Sequence, residues 1–387
     1  MNISFKKALK NLELFDGRID WVLLFSALLV AAAGLVTMNS FSGENYFFEH
    51  QLVWIAVGTA FFLVLSFIDF RFLKRTSIIV TLYLISAFLL FLTLVFGDTF
   101  LGAQSWFDVG AFTVQTSDPI KIVMLLLLAK YFSRRHVEIA NYRHILVSGF
   151  YVAVMAGLIF LQPDFGSAII MVSLWLGMIL VAGISPKHLT VIVLIGAIAA
   201  IVLWAFVFEP YQKERILTFL NPLTDLQGAG YNAYQSTVAV GSGELTGKGI
   251  GYGTQSRLQF LPEYQTDFIF AAFAEEWGFF GVLLLLILFG VIVWRLLSAS
   301  VYGVSNFETL FGVGVAILFM SHLTVHVGMN VGLLPVTGTT LPFMSYGGSH
   351  LITEFAALGI FMGMRRYSRP VHRDEIDNEV LGISKRA

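Results

Sequence analysis

The 387-residue sequence contains no cysteine and little charge. The absence of cysteine excludes disulfide bonds, thiol catalysis and cysteine metal sites. Only 13% of the residues are charged, about half the usual share for a soluble domain, so the chain cannot cover the surface of two or three soluble domains. With 24 Lys and Arg against 25 Asp and Glu, it also lacks the basic excess that indicates nucleic-acid binding, and we predict no nucleic-acid partner.

Apolar residues dominate the composition of the chain. They make up 57% of the chain, which includes 37 Phe, and this composition is typical of surface that faces lipid. Ten apolar windows recur along the sequence. They are 20–38, 50–69, 76–96, 118–133, 145–162, 165–183, 188–207, 267–294, 308–330 and 348–364. We therefore predict an all-α polytopic membrane protein with about ten transmembrane helices, which form a single domain over 1–387.

Basic residues predict the side of the membrane on which each loop lies. If the N-terminus is cytoplasmic, 19 of the 24 Lys and Arg fall on the cytoplasmic side, and the short loops on the other side hold none. This pattern predicts a cytoplasmic N-terminal segment at 1–19 and a cytoplasmic C-terminal tail at 366–387. It also predicts a large extracellular loop at 208–266, between spans seven and eight.

Ionisable side chains in or beside apolar spans are costly and usually mark function. Those from distant stretches of this chain fall in the predicted outer half of the bilayer, which indicates a polar cavity open to the outside. Each has a simpler structural alternative, such as an i,i+3 ion pair for Lys121, a stabilised Pro-Gly turn for Asp164, or hydrogen bonds between helices. The acidic and basic members are Asp118, Lys121, Asp164, Asp267, Glu275 and Glu276.

The histidines of span nine and the glycine-rich loop each allow a functional and a simpler structural interpretation. His322 and His326 share one face of span nine at metal-ligand spacing, but no third ligand is evident, so we favour helix packing. The 208–266 loop is rich in glycine, yet its spacing does not match a phosphate-binding P-loop. Gly-rich backbone can still bind anions, with Arg215, Lys248 and Arg257 as cationic donors; the alternative is an ordered lid whose glycines only make turns.

Several runs of residues carry a family resemblance over nearly the whole chain, in the right order. They are 102–106, 162–166, 221–225, 228–231, 235–236, 241–249, 253–256, 260–276, 328–338 and 341–349. These runs are similar to those of the SEDS family (shape, elongation, division and sporulation). The Gly-Lys-Gly and Gly-Thr-Gln-Ser forms resemble elongation members more than division members. The chain departs from the usual pattern at Asp118, His326 and His350.

The resemblance implies a peptidoglycan glycosyltransferase for cell elongation and shape. Such an enzyme polymerises lipid II into glycan strands at the outer face of the bacterial plasma membrane and releases undecaprenyl diphosphate. The implied partners are a class B penicillin-binding protein, which is a transpeptidase, and other membrane proteins of the elongation complex. The family's essential carboxylate corresponds to Asp267, and a loop tryptophan linked to activity corresponds to Trp106, which could equally be an interfacial anchor.

The chemistry of glycosyl transfer agrees with this assignment. A single carboxylate at the start of an apolar helix can serve as general base, because partial burial raises its pKa, so we predict Asp267 as the catalytic residue. The leaving diphosphate needs positive charge, either from side chains or from a divalent cation such as Mg or Mn; no protein metal site is predicted. The substrate-binding candidates are Trp106, Lys121, Asp164, Arg215, Lys248, Gln255, Arg257, Glu263 and Ser345.

Two other functions remain open from the sequence. A lipid II flippase would suit a chain with many spans, but transporters typically carry charge near the midplane and show internal repeats, and we find neither. A non-catalytic scaffold for the transpeptidase is the third alternative, and it predicts that changes in the 208–266 loop leave function intact.

Overall fold

The computed structural model describes residues 19–40, 46–100, 103–108, 110, 113–133, 142–220, 229–258, 260–303 and 305–367. The predicted cytoplasmic segments at 1–19 and 366–387 therefore lie almost wholly outside the described residues, as does the 221–225 motif. The described residues form a helical bundle with one small sheet.

Thirteen α-helices are present in the described part of the chain. They are α1 (Trp21–Asn39), α2 (Tyr46–Ser66), α3 (Thr76–Phe96), α4 (Ser117–Ser133), α5 (Tyr142–Leu161), α6 (Phe165–Ala182), α7 (Pro186–Val202, followed by a π turn at Leu203–Val207), α8 (Pro210–Leu220), α9 (Ala229–Ser242), α10 (Thr254–Arg257), α11 (Ile269–Val301), α12 (Asn306–Asn330) and α13 (Gly348–Tyr367). A short 3-10 turn, Phe70–Lys74, separates α2 from α3.

Eight helices are long and apolar enough to cross a membrane, namely α1, α2, α3, α5, α6, α7 with its π turn, α11 and α12. The two other predicted windows also form helices. α4 has only 17 residues, of which twelve are buried, and α13 carries two arginines in its last turn. Each predicted window thus corresponds to a helix, and the all-α polytopic fold is confirmed.

One end of the bundle carries the described parts of the 208–266 stretch, and we call it the large-loop end. This stretch is more than a loop, because it contains α8, α9 and α10. A three-stranded antiparallel sheet, which was not predicted from the sequence, lies at the same end. Its strands are β1 (Asp98–Phe100), β2 (Ala103–Asp108) and β3 (Thr113–Gln115).

The core runs through α4, α12 and α13, which the other helices surround. α2 packs along α13 with close approach at glycines: a Cβ on Gly58 would lie 2.6 Å from the Phe355 ring, and one on Gly359 would lie 2.9 Å from the Phe62 backbone carbonyl. Small residues commonly allow such contacts between membrane helices. α7 behaves differently, since none of its residues is buried.

An ionic contact ties three helices together at the end opposite the large loop. Asp20 caps α1 and accepts hydrogen bonds from Arg295 of α11, from Nε to Oδ1 at 3.1 Å and from Nη2 to Oδ2 at 2.6 Å. Arg365 of α13 places Nη1 3.8 Å from the same carboxylate. Because the Asp20 side chain is buried, these partners keep its charge satisfied.

α11 breaks at Gly278, where φ is 63° and ψ is −166°. Residues 244–249 bond to the backbone on both sides of the break. The amides of Lys248 and Gly249 donate to the carbonyls of Glu275 and Glu276, at 3.0 Å each, and the amide of Phe279 donates to the Glu244 carbonyl at 2.9 Å. The large loop therefore supplies hydrogen-bond partners for the α11 backbone at the break.

We expect Gly278→Ala to destabilise the protein. A Cβ there would lie 2.2 Å from the Gly247 amide nitrogen, and overpacking of this kind costs about 1–3 kcal/mol in addition to the strain at positive φ. Gly290→Ala is the matched control, because nothing lies within 4 Å of a Cβ on that glycine of the same helix. Thermal unfolding in detergent should give a lower Tm for Gly278→Ala only; equal Tm values would contradict the role of the break.

Candidate functional site

Asp267 lies two residues before α11, at the large-loop end, and its side chain is half-buried. Its backbone carbonyl accepts a hydrogen bond from the Asn330 side-chain amide at 2.9 Å. The chain at Gly338, where φ is 71°, passes close to the carboxylate: a Cβ there would lie 3.6 Å from Asp267 Oδ2. Glycine at this position leaves room beside the carboxylate.

The residues just before Asp267 are fixed to the turn before α13. Ser345 is buried, and its hydroxyl donates to the Thr266 carbonyl at 2.8 Å while accepting from the Leu341 amide at 2.8 Å. The Tyr346 amide donates to the Gln265 carbonyl at 2.8 Å. In this structure Ser345 therefore positions the Asp267 segment, and its hydroxyl is already engaged with backbone groups.

Burial and nearby charges make the Asp267 carboxyl titrate close to neutral pH. Burial, the nearby Glu263 carboxylate and, to a smaller extent, Asp164 together raise the pKa of Asp267 to about 7. The Arg215 guanidinium opposes these effects and lowers the same pKa. The structure thus brings together four candidate residues from three separate segments, with Glu263 and Asp267 sharing one of them.

Asp164 joins this group to the sheet. It caps α6, accepting from the Ser167 amide at 3.0 Å, and also accepts from the Gln115 side chain at 3.0 Å. Gln115 is the register partner of Trp106 in β3 and β2, so the two side chains share a face of the sheet. Trp106, which is half-buried, is therefore placed near Asp164.

Lys121 belongs to a second, buried group. Its Nζ lies 3.0 Å from Asp118 Oδ1, so the predicted i,i+3 pair is present. The two further members of this group, His350 and Glu354 of α13, were not predicted from the sequence. His350 Nδ1 lies 3.3 Å from Asp118 Oδ1, and its Nε2 lies 2.8 Å from Glu354 Oε1.

Two signals in the sequence pointed to these α13 residues. They are spaced i,i+4 on one helix face, and His350 is one of the departures from the family pattern. The group adjoins the Asp267 site through Ser349, whose hydroxyl donates to Asp118 Oδ2 at 3.0 Å and accepts from the Gln115 amide at 3.3 Å.

Of the remaining candidates, Lys248 and Gln255 belong to a third group, centred on Glu275, and Arg257 bonds elsewhere in the large loop. Glu275 Oε1 accepts from Lys248 Nζ at 2.7 Å and from the Gln255 amide at 3.2 Å. Arg257 Nη1 contacts the Gly251 carbonyl at 3.4 Å. Glu275 is eight residues after Asp267, or about 12 Å along a helix. In this structure its group fastens the large loop to α11 rather than facing Asp267.

The histidines of α12 bond to backbone, as helix packing predicts. His326 Nδ1 lies 2.6 Å from the Thr339 carbonyl, and His322 Nδ1 lies 3.2 Å from the Thr340 carbonyl. Within the described residues, no three or more His, Cys, Asp or Glu side chains are grouped so that they could hold a metal ion.

Arg215, on α8, lies between two clefts that open at the large-loop end. The wider cleft measures about 130 Å³ and runs between α8 and α9. The narrower cleft, about 20 Å³, is lined by apolar side chains such as Phe165, Phe208 and Ile216. Pro335 and Val336 border both clefts. A base with a pKa near neutrality, a cation and two adjoining clefts form a site suited to proton transfer beside a developing negative charge.

We expect Lys121→Met to destabilise the protein, because it leaves Asp118 with one cation fewer in a buried position. Removing one partner of a buried ion pair costs about 3–5 kcal/mol. Lys187→Met is the control, since Lys187 is exposed. Thermal unfolding should show a lower Tm for Lys121→Met, and Asp118→Asn in the same chain should restore part of the loss; an unchanged Tm would contradict the ion pair.

Comparison with known proteins places this chain in a family. The family described as "Cell cycle protein" (FtsW, RodA and SpoVE) matches residues 17–370. Stage V sporulation protein E of Bacillus subtilis is 36% identical, over 90% of this chain and 98% of its own length. Peptidoglycan glycosyltransferase MrdB of Escherichia coli is 35% identical, over 90% and 93%.

Two solved structures show the same architecture. A chain from a peptidoglycan synthase complex that coordinates polymerization and crosslinking matches with a TM-score of 0.76 and 31% identity, over 92% of this chain and 99% of its own. Thermus thermophilus rod shape determining protein RodA matches with a TM-score of 0.68 and 29% identity, over 91% and 98%. The chain is therefore a multi-pass membrane protein that belongs to the FtsW/RodA/SpoVE family, also called SEDS.

Proposed function

We propose that the chain is a peptidoglycan glycosyltransferase that polymerises lipid II into glycan strands for cell elongation and shape. The single observation that carries this proposal is the half-buried carboxylate of Asp267, whose pKa is raised to about 7 beside the Arg215 cation. Family relatives named peptidoglycan glycosyltransferase support the same activity. The site would face the outside of the bacterial plasma membrane, with both termini cytoplasmic, as the basic residues predict.

The proposed reaction is an inverting displacement at an anomeric carbon. The acceptor sugar hydroxyl forms the new C–O bond and gives its proton to the Asp267 carboxylate. The bond between the anomeric carbon and the diphosphate breaks, and undecaprenyl diphosphate leaves with the electron pair. Arg215 is the described cation that acts on Asp267, so we assign it to the leaving diphosphate, where charge-assisted hydrogen bonds are strong.

The other site candidates take supporting roles in this proposal. Trp106 and Asp164, joined through Gln115, border the Asp267 site at the sheet, where an aromatic face suits a sugar ring. Lys121 supports the site from the adjoining buried group, in which it pairs with Asp118. Glu263 adjusts the electrostatics of Asp267 without transferring a proton.

Lys248 and Gln255 hold the large loop against α11, Arg257 bonds within the loop, and Ser345 holds the Asp267 segment. Substrate binding by these four residues remains a prediction. A divalent cation, Mg or Mn, would have to take most of its ligands from the substrate diphosphate, as Mg commonly does, because the described carboxylates form no complete site. A chelator tests whether it is needed.

A class B penicillin-binding protein is the proposed partner, together with other elongation-complex membrane proteins. The match to a chain from a synthase complex that coordinates polymerization and crosslinking supports it. A lipid II flippase remains the second candidate, and the apolar cleft beside Arg215 is the observation that favours it. Vesicles that contain only this protein would show lipid II movement if flipping were its activity.

We expect Asp267→Asn to lower the rate of lipid II polymerisation by about 10²–10⁴-fold, which is the usual contribution of general base catalysis. The measurement is polymer formed from labelled lipid II by the purified protein with its transpeptidase partner. Glu209→Gln is the control, because Glu209 is an exposed carboxylate in the same large-loop region. Polymerisation at the wild-type rate by Asp267→Asn would rule out the assigned role.

The pH dependence of the rate gives a second test. The unprotonated form of Asp267 is the base, so the rate should rise with pH through about 7. Glu263 raises the pKa of Asp267, and Glu263→Gln should therefore move this acidic limb to lower pH. Single-turnover rates from acidic to alkaline pH would show the shift. A limb that stays in place, or that moves to higher pH, would contradict the electrostatic arrangement.

A further inference from the structure

We propose that the cleft between α8 and α9 binds the sugar chain of the growing polymer, while the apolar cleft on the other side of Arg215 takes the first isoprene units of the lipid carrier. This inference rests on the proposed function and adds to it the direction in which the substrate lies. We call the first the α8–α9 cleft. Its side chains include Arg215, Thr218, Phe219, Asn232, Tyr234 and Thr237.

The side chains of the α8–α9 cleft match the chemistry of an oligosaccharide. Phe219 and Tyr234 offer aromatic faces to the C–H surface of a sugar ring, and the Asn232 amide offers both donors and an acceptor. Arg215 is its only described charged lining residue. A cleft of about 130 Å³ that opens to one side suits part of an extended chain better than an enclosed small molecule.

The second cleft has the opposite character. Rings of Phe160, Phe165 and Phe208 form a chain of contacts there, with centroids 5.9–6.2 Å apart. The cleft lies where the π turn after α7 returns to the bundle. Because no residue of α7 is buried, acyl chains can reach this place from the bilayer. An isoprenoid fits such a surface, and a glycan does not.

Arg215 lines both clefts, so the diphosphate, which joins sugar to lipid, is placed at the boundary between them. The boundary is also tied to the base. Ser236 of α9 donates to the Asn330 carbonyl at 2.9 Å, and the Asn330 side chain donates to the Asp267 carbonyl at 2.9 Å. Asn330 is fully buried. A chain held on α9 is thus held in register with Asp267.

The test uses Tyr234→Ala and Asn232→Ala in the full-length protein with its transpeptidase partner. Tyr234 is 42% exposed, so its loss should leave the fold intact, and thermal unfolding checks this. We expect mean glycan length to fall roughly three- to tenfold, the effect of about 0.7–1.4 kcal/mol of lost binding. Formation of the first glycosidic bond should fall less than chain length. Tyr252→Ala, which removes a more exposed aromatic side chain outside the cleft, should give wild-type lengths.

A lipid-free, peptide-free β-linked amino-sugar tetrasaccharide gives a second readout. It should bind the wild type and Asp267→Asn, and bind the two cleft variants more weakly. Wild-type chain lengths from both cleft variants would overturn the inference while leaving the proposed function standing. Loss of transpeptidase binding would show that the cleft is a protein interface and would equally overturn it. Active Asp267→Asn, by contrast, would count against the proposed function itself.

Discussion

The structure depends on one constraint: backbone groups exposed by a break in an apolar helix must find partners within the protein, since lipid offers none. α11 breaks at Gly278, and the amides and carbonyls of residues 244–249 satisfy the two broken ends. The Glu275 carboxylate adds side-chain bonds to Lys248 and Thr254. This requirement fixes the large loop on the bundle and gives the clefts at that end a defined shape.

Buried carboxylates likewise need partners within the protein, and Asp118 and Asp267 differ in the partners they have. Asp118 is surrounded by Lys121, His350 and Ser349, whereas Asp267 faces two acidic neighbours and a single arginine. The first arrangement gives the buried Asp118 carboxylate an ammonium, an imidazole and a hydroxyl as partners, and its role is structural. The second leaves a carboxyl whose charge depends on pH close to neutrality, and proton transfer needs a group of that kind.

Much of this was predictable, because the bilayer imposes a strong pattern on the sequence. The apolar windows located every spanning helix, and the cost of intramembrane charge selected Asp267, Asp164 and Lys121. The short strands around Trp106 were missed, since segments of three to six residues carry too little periodicity to be recognised. The sequence also did not predict that Arg215 acts on Asp267 while Lys248 pairs with Glu275. Loop spacing does not determine which carboxylate a lysine or arginine will reach.

The contact between Asp20, Arg295 and Arg365 has a mechanical consequence for the site at the opposite end. These ion pairs connect α1, α11 and α13 and resist sliding of the helices along their axes. The break in α11 lies between this contact and Asp267. The portion of α11 from Ile269 to Trp277 lies beyond the break, where residues 244–249 and the Asn330 side chain fix its direction. The position of the base is therefore set by contacts at the large-loop end rather than by the anchored half of the helix.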